Sequence, residues 1–70
     1  MDRVFVSSTS IRAVGYDPKT RKLEIEFING GIYRFSGVPD TIHARLMASH
    51  SKGQYFAAHI KDVYLPLRIR

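Results

Sequence analysis

Asn29-Gly30-Gly31-Ile32-Tyr33-Arg34-Phe35-Ser36-Gly37-Val38-Pro39 is the stretch that decides the fold. Asn-Gly-Gly offers the positive-φ positions a tight hairpin needs. Ile32 to Phe35 is then the returning strand, with Tyr33 and Phe35 on one face and Ile32 and Arg34 on the other. Pro39 pushes Val38 into extended backbone and suits the first turn of a helix, where its missing N–H costs nothing. A sheet therefore ends here and a helix begins.

Upstream, Lys22-Leu23-Glu24-Ile25-Glu26-Phe27 alternates charged and apolar residues, the pattern of a half-buried antiparallel strand. Asp17-Pro18-Lys19-Thr20 suits a type I turn before it. Ile11 to Tyr16 is read as the preceding strand, with Arg12, Val14 and Tyr16 on one face and Ile11 and Ala13 on the other. Ser7 to Ser10 reads as a loop, preceded by the short apolar patch Val4-Phe5-Val6. Downstream, Ile42 and Leu46 fall on one stripe of a helix running from Pro39 to about Ser49, with Arg45 opposite. Ser51 and Gln54 match a capping box that opens a second helix, about Lys52 to Lys61, with Phe56, Ala57 and Ile60 inward. Pro66 argues against helix in the tail, so Tyr64 to Arg70 is expected to be extended or frayed. The predicted architecture is one α+β domain over residues 1–70, a three-stranded antiparallel β-meander packed against one or two C-terminal α-helices. Its expected core is Leu23, Ile25, Phe27, Phe35, Ile42, Leu46, Phe56 and Ile60.

A chain of 70 residues buries only about 60% of its unfolded surface. There is no cysteine, so the core rests on aliphatic and aromatic packing alone. Eleven Lys and Arg against six Asp and Glu give a net charge of +5, dispersed along the chain, which favours acidic partners such as nucleic acid. No apolar run approaches the roughly 18 residues of a membrane span. A cytoplasmic protein without membrane contact is expected.

The order of these signals resembles the KTSC domain, a small family named for its place at the C-terminus of some lysyl-tRNA synthetases and also found as stand-alone bacterial proteins. The resemblance spans residues 7–64, leaving 1–6 and 65–70 as flanks. It is carried by Ser7-Ser8 with Ile11, Val14-Gly15-Tyr16-Asp17, Leu23-Ile25-Phe27, Gly31, Tyr33-Arg34-Phe35, Val38-Pro39 and Ser51-Lys52-Gly53 ahead of Phe56, Ile60 and Tyr64. The family is marked by a Tyr-x-Tyr, and here Phe35 stands at the second position, which removes one hydroxyl. The resemblance implies no established activity, and the family's synthetase association suggests RNA binding.

Nothing in the residues supports catalysis: no nucleophile elbow is present, and Glu24 and Glu26 are expected on an exposed strand face with ordinary pKa values. His43, His50 and His59 lie seven and nine residues apart, not the i, i+4 pair of helical zinc sites. No metal and no cofactor are expected. Two surfaces are candidates for RNA. On the sheet, Arg12 and Arg34 would supply phosphate contacts and Tyr33 a stacking ring, unless Glu24 and Glu26 neutralise that face. Around the helices, Arg45, Lys52, Lys61, Arg68 and Arg70 form an alternative basic set. The candidate site residues are Arg12, Tyr33, Arg34, Arg45 and Lys52. The second functional reading is a protein-interaction or self-association module that uses the apolar termini, Val4 to Val6 and Leu65, Leu67 and Ile69.

Overall fold

The computed structural model describes residues 1–70. Its sheet has five antiparallel strands in simple order: β1 (Arg3–Phe5), β2 (Ile11–Asp17), β3 (Lys22–Phe27), β4 (Ile32–Ser36) and β5 (Leu65–Arg68). The helices α1 (Asp40–Ala48) and α2 (Lys52–His59) lie between β4 and β5 in sequence, not at the C-terminus. The expected three-stranded meander is thus the middle of the sheet. Both flanks, taken as a patch and a tail, are edge strands.

The central hairpins form as their turn chemistry requires. Asp17 accepts the backbone N–H of Lys19 at 3.0 Å, and Asn29 accepts that of Gly31 at 3.0 Å with Gly30 at φ 100°. These are the Asx-type contacts that let short polar side chains close turns. Arg21 ends the first turn at φ 57°, a left-handed conformation that strains a residue with a Cβ. Its carbonyl accepts the Val38 N–H at 2.9 Å, which ties the turn to the helix entry.

β2 departs from the alternation read in its sequence. Ile11 pairs with Phe27 and Ala13 with Glu26, so one extra residue, Arg12, is bulged out of the ladder. A bulge reverses the facing of everything before it. Ile11 therefore joins Val14 on the helix-covered face, both almost fully buried, and Arg12 is exposed rather than aligned with Val14 and Tyr16.

The core gathers Ile11, Val14, Leu23, Ile25, Phe35, Val38, Leu46 and Ile60, with Phe27, Ile42 and Phe56 partly buried against it. Ala57 is exposed, against expectation. Gly53 is the α2 residue that lies close to the β1–β2 loop, because a Cβ there would come within 2.5 Å of Ser10 Oγ. Ser51 accepts the Gln54 N–H at 3.3 Å and caps α2. Tyr16 donates to the Val38 carbonyl at 2.6 Å and stacks on His43 of α1 at 4.5 Å.

Candidate functional site

The face of the sheet away from the helices carries a charged row. Register aligns Arg3, Gly15, Glu24 and Arg34 across β1 to β4. Glu24 is 5% exposed. Its Oε2 accepts from Arg34 Nη2 at 2.9 Å and Nε at 3.2 Å, and its Oε1 accepts from Arg3 Nη1. Arg3 Nε lies 3.6 Å from Glu26 as well. Gly15 makes the crossing passable: a Cβ there would stand 3.0 Å from Arg3 Cγ and 3.1 Å from the Asp2 carbonyl. Burial acts to raise the Glu24 carboxyl's pKa, and the hydrogen bonds from Arg34 and Arg3 outweigh it, leaving it below the usual range. The expectation of an exposed Glu24 with an ordinary pKa is corrected here, because its second partner arrives from a strand that the sequence did not announce. Two arginines and two glutamates cancel in this network, so the row itself has no net charge to offer a phosphate. Arg34 has its guanidinium committed to Glu24. Arg12 stands apart from this row, beside a hollow it shares with Phe5, Val6, Ser8, Ile11 and Ile28.

The helix side holds a different surface. Where α2, β4 and β5 meet, Phe27, Tyr33, Phe35 and Phe56 line an open hollow of about 340 Å³, with Lys61, Asp62 and Pro66 around it. The rings lock edge to face: Phe27 with Tyr33 at 5.9 Å, Phe27 with Phe56 at 5.3 Å, and Phe35 with Phe56 at 5.4 Å. Phe35 is core, as expected, and Tyr33 is half-buried. Tyr33 pairs with Arg68 across β4 and β5, and the Arg68 guanidinium lies 5.8 Å over its ring, within cation–π range. On the far side of Tyr33 a second hollow is lined by Asn29, Gly30, Gly31, Arg68 and Arg70. Aromatic faces and cations thus converge on Tyr33. The pairing of β5 produces this convergence; the tail is extended, one of the two states expected for it, but nothing in its sequence names β4 as its partner.

Lys52 lies elsewhere, at a wholly polar hollow formed by Ser7, Ser8, Thr9, His50 and Ser51, with its ammonium 3.3 Å from the Ser49 carbonyl. Arg45 is exposed on α1. The helical-side basic residues therefore divide between the aromatic hollow and more distant positions. The histidines are dispersed, His43 against Tyr16, His59 against Tyr55 and His50 at the polar hollow, and no three metal-ligating side chains converge. No helix is long and apolar enough to cross a membrane.

The KTSC domain profile matches residues 7–64, and the chain belongs to the KTSC domain family. A crystal structure of a KTSC domain protein from Yersinia pestis superposes with a TM-score of 0.96 at 42% identity, covering 99% of this chain and 97% of that one. An uncharacterized protein of Stutzerimonas stutzeri is 41% identical over 56 residues, 80% of this chain and 79% of its own length. A lysine–tRNA ligase of Nostoc sp. is 45% identical over 54 residues, which is 77% of this chain but 10% of that enzyme.

Proposed function

We propose that this KTSC domain is a non-enzymatic binding module that takes unpaired RNA at the aromatic hollow. A base stacks on Tyr33 and Phe56, and neighbouring phosphates meet Arg68, Arg70 and Lys61. The observation that carries this reading is Arg68 placed 5.8 Å over Tyr33, a ring shared between the open aromatic-lined hollow and the neighbouring hollow that Arg68 and Arg70 line, the pairing of ring and cation that single-stranded nucleic acid uses. The neutralised row on the sheet supports it by exclusion, since Arg3 and Arg34 already hold Glu24. A relative named as a lysine–tRNA ligase, a protein that acts on an RNA, adds support. Of the residues singled out in the sequence, Tyr33 has the central role. Arg12, Arg45 and Lys52 would contribute only long-range attraction, and Arg34 would act through the network it holds.

Fluorescence anisotropy with short single-stranded and duplex RNA, across a salt series, tests the proposal. Single strands should bind more tightly, with log affinity falling by about 0.7 per phosphate neutralised for each tenfold rise in salt. Tyr33→Ala should weaken binding by roughly 5- to 150-fold, the worth of one stacked base. Arg68→Ala should reduce the salt slope by about 0.7. Absence of binding at low salt, or binding indifferent to both substitutions, overturns the reading.

A further inference from the structure

The two edges of the sheet are built differently. Ile69 donates its N–H to the Ile32 carbonyl at 2.7 Å, so by alternation Leu67 and Leu65 also aim their backbone groups at β4, and Pro66 and Arg68 aim theirs outward. Pro66 has no N–H to give there. It occupies a position where it costs the ladder nothing and refuses a further strand. On β1, Val6 donates to the Arg12 carbonyl at 3.0 Å, which by the same alternation turns Val4 inward and leaves the N–H and C=O groups of Arg3 and Phe5 facing out. No proline guards this edge. Phe5, at 78% exposed, and Val4, at 57%, stand on it uncovered.

We propose that β1 pairs antiparallel with β1 of a second copy, about a two-fold axis beside Val4. The strand is self-complementary in that register. Arg3 of each copy falls opposite Phe5 of the other, and both are outward-bonding positions, so the contact forms about four backbone hydrogen bonds. Val4 meets its own symmetry mate in a non-hydrogen-bonded pair, where side chains approach most closely. On the open face each Phe5 ring lies beside an Arg3 already held by Glu24 and Glu26, and the two Arg3 side chains are offset rather than opposed. This favours a second copy over a foreign strand: cation meets aromatic and apolar meets apolar, with no like charges face to face. Because Pro66 closes the other edge, the assembly stops at a two-fold dimer with one continuous sheet and cannot extend into a filament. The contact is smaller than a standard interface, so monomer and dimer exchange reversibly. Its location at the β1 edge, opposite β5, keeps it separate from the aromatic hollow.

Sedimentation velocity from micromolar to millimolar protein should show a reversible monomer–dimer shift. Amide hydrogen exchange reads the edge itself: Val4 should be protected at every concentration, and Arg3 and Phe5 only where the dimer forms. Phe5→Pro removes an N–H that makes no internal ladder bond, and it should hold the protein monomeric while the far-ultraviolet circular dichroism is unchanged. Phe5→Lys should do the same through its side chain, and Leu67→Lys on the opposite strand should leave the dimer intact. A protein that stays monomeric at millimolar concentration overturns the proposal. So does a dimer that persists in both Phe5 variants, or Arg3 protection that appears only when a foreign peptide is added.

Discussion

Replacing Glu24 by glutamine tests the charged row directly. The carboxylate accepts two hydrogen bonds from Arg34 at 2.9 and 3.2 Å on one oxygen and a further one from Arg3 on the other. The amide keeps one accepting oxygen and turns an NH2 group toward a guanidinium that has nothing to accept it. A hydrogen bond to a charged group contributes about 1.5–3 kcal/mol. The two arginine side chains are 30% and 36% exposed, so water recovers part of that loss, leaving a cost of about 2 kcal/mol. In a domain of this size that lowers the melting temperature by roughly 8–16 °C. The pH dependence supplies the sharper check. Burial acts to raise the Glu24 pKa, but the hydrogen bonds from Arg34 and Arg3 bring the folded-state value below the unfolded one. Its contribution is therefore present above the unfolded carboxylate pKa, near 4.3, and is lost as pH falls through the folded value. Thermal melts followed by circular dichroism should show a wide gap between wild type and Glu24→Gln at neutral pH that narrows in acid. A gap below about 3 °C at pH 7, or one that stays constant into acid, would refute a stabilising Glu24.

Two further substitutions probe other strained or buried positions. Burial lowers the pKa of His43, so its neutral form is the folded one, and the stability this gives is present above the unfolded pKa of about 6.5 and lost on acidification below it. Melts between pH 8 and 5 should therefore fall less steeply for His43→Phe, which preserves a ring against Tyr16, than for wild type. Arg21→Gly relieves the left-handed backbone at φ 57°, about 1–2 kcal/mol, against the roughly 0.4–1 kcal/mol by which glycine's extra freedom favours the unfolded chain, and should stabilise by about 0.5–1 kcal/mol net. Unchanged or lowered denaturation midpoints in urea would contradict it.

The parts of this structure that the sequence announces are those fixed by neighbours in the chain. Asn29 to Pro39 specifies a turn, a strand and a helix entry through φ requirements and proline geometry, and all three form. Leu23, Ile25 and Phe35 declare themselves core through alternation. β1 is different: three residues have no period to detect, and its existence depends on β2 being present to receive it. β5 is half announced: Pro66 argues against helix and for an extended or frayed tail, but which strand that tail pairs with, and that the Pro66 nitrogen faces away from it, are decided only by the β4–β5 pairing. The bulge at Arg12 is invisible for a similar reason, since register belongs to a pair of strands rather than to one. Glu24 and Glu26 are equivalent in pattern, and only the strand pairings separate them: Glu24 falls opposite Arg34 and also receives Arg3 across Gly15, whereas Glu26 falls opposite Ile32. The candidate site follows the same division. Tyr33 was legible as a half-exposed aromatic and Arg68 and Arg70 as loose cations, but their convergence is a product of the β4–β5 pairing.

That convergence bears on where the excess charge can act. The chain's +5 lies entirely outside the Arg3, Arg34, Glu24 and Glu26 network, which sums to zero, so any electrostatic pull on an acidic partner originates elsewhere on the surface. Attraction alone selects no partner, and cations such as Arg45, with no hollow or ring assigned to them, supply only that. Lys61, Arg68 and Arg70 differ in bordering hollows lined by Tyr33, Phe27 and Phe56. A bound chain of phosphates would gain little there over any other basic patch, whereas a chain with exposed bases gains a stacking surface as well. The discrimination between single-stranded and duplex RNA is therefore a more searching measurement than affinity itself. If duplex binds as well as single strand and Tyr33→Ala changes neither, the hollow is packing that happens to be open, and the excess charge has no base-binding site attached to it.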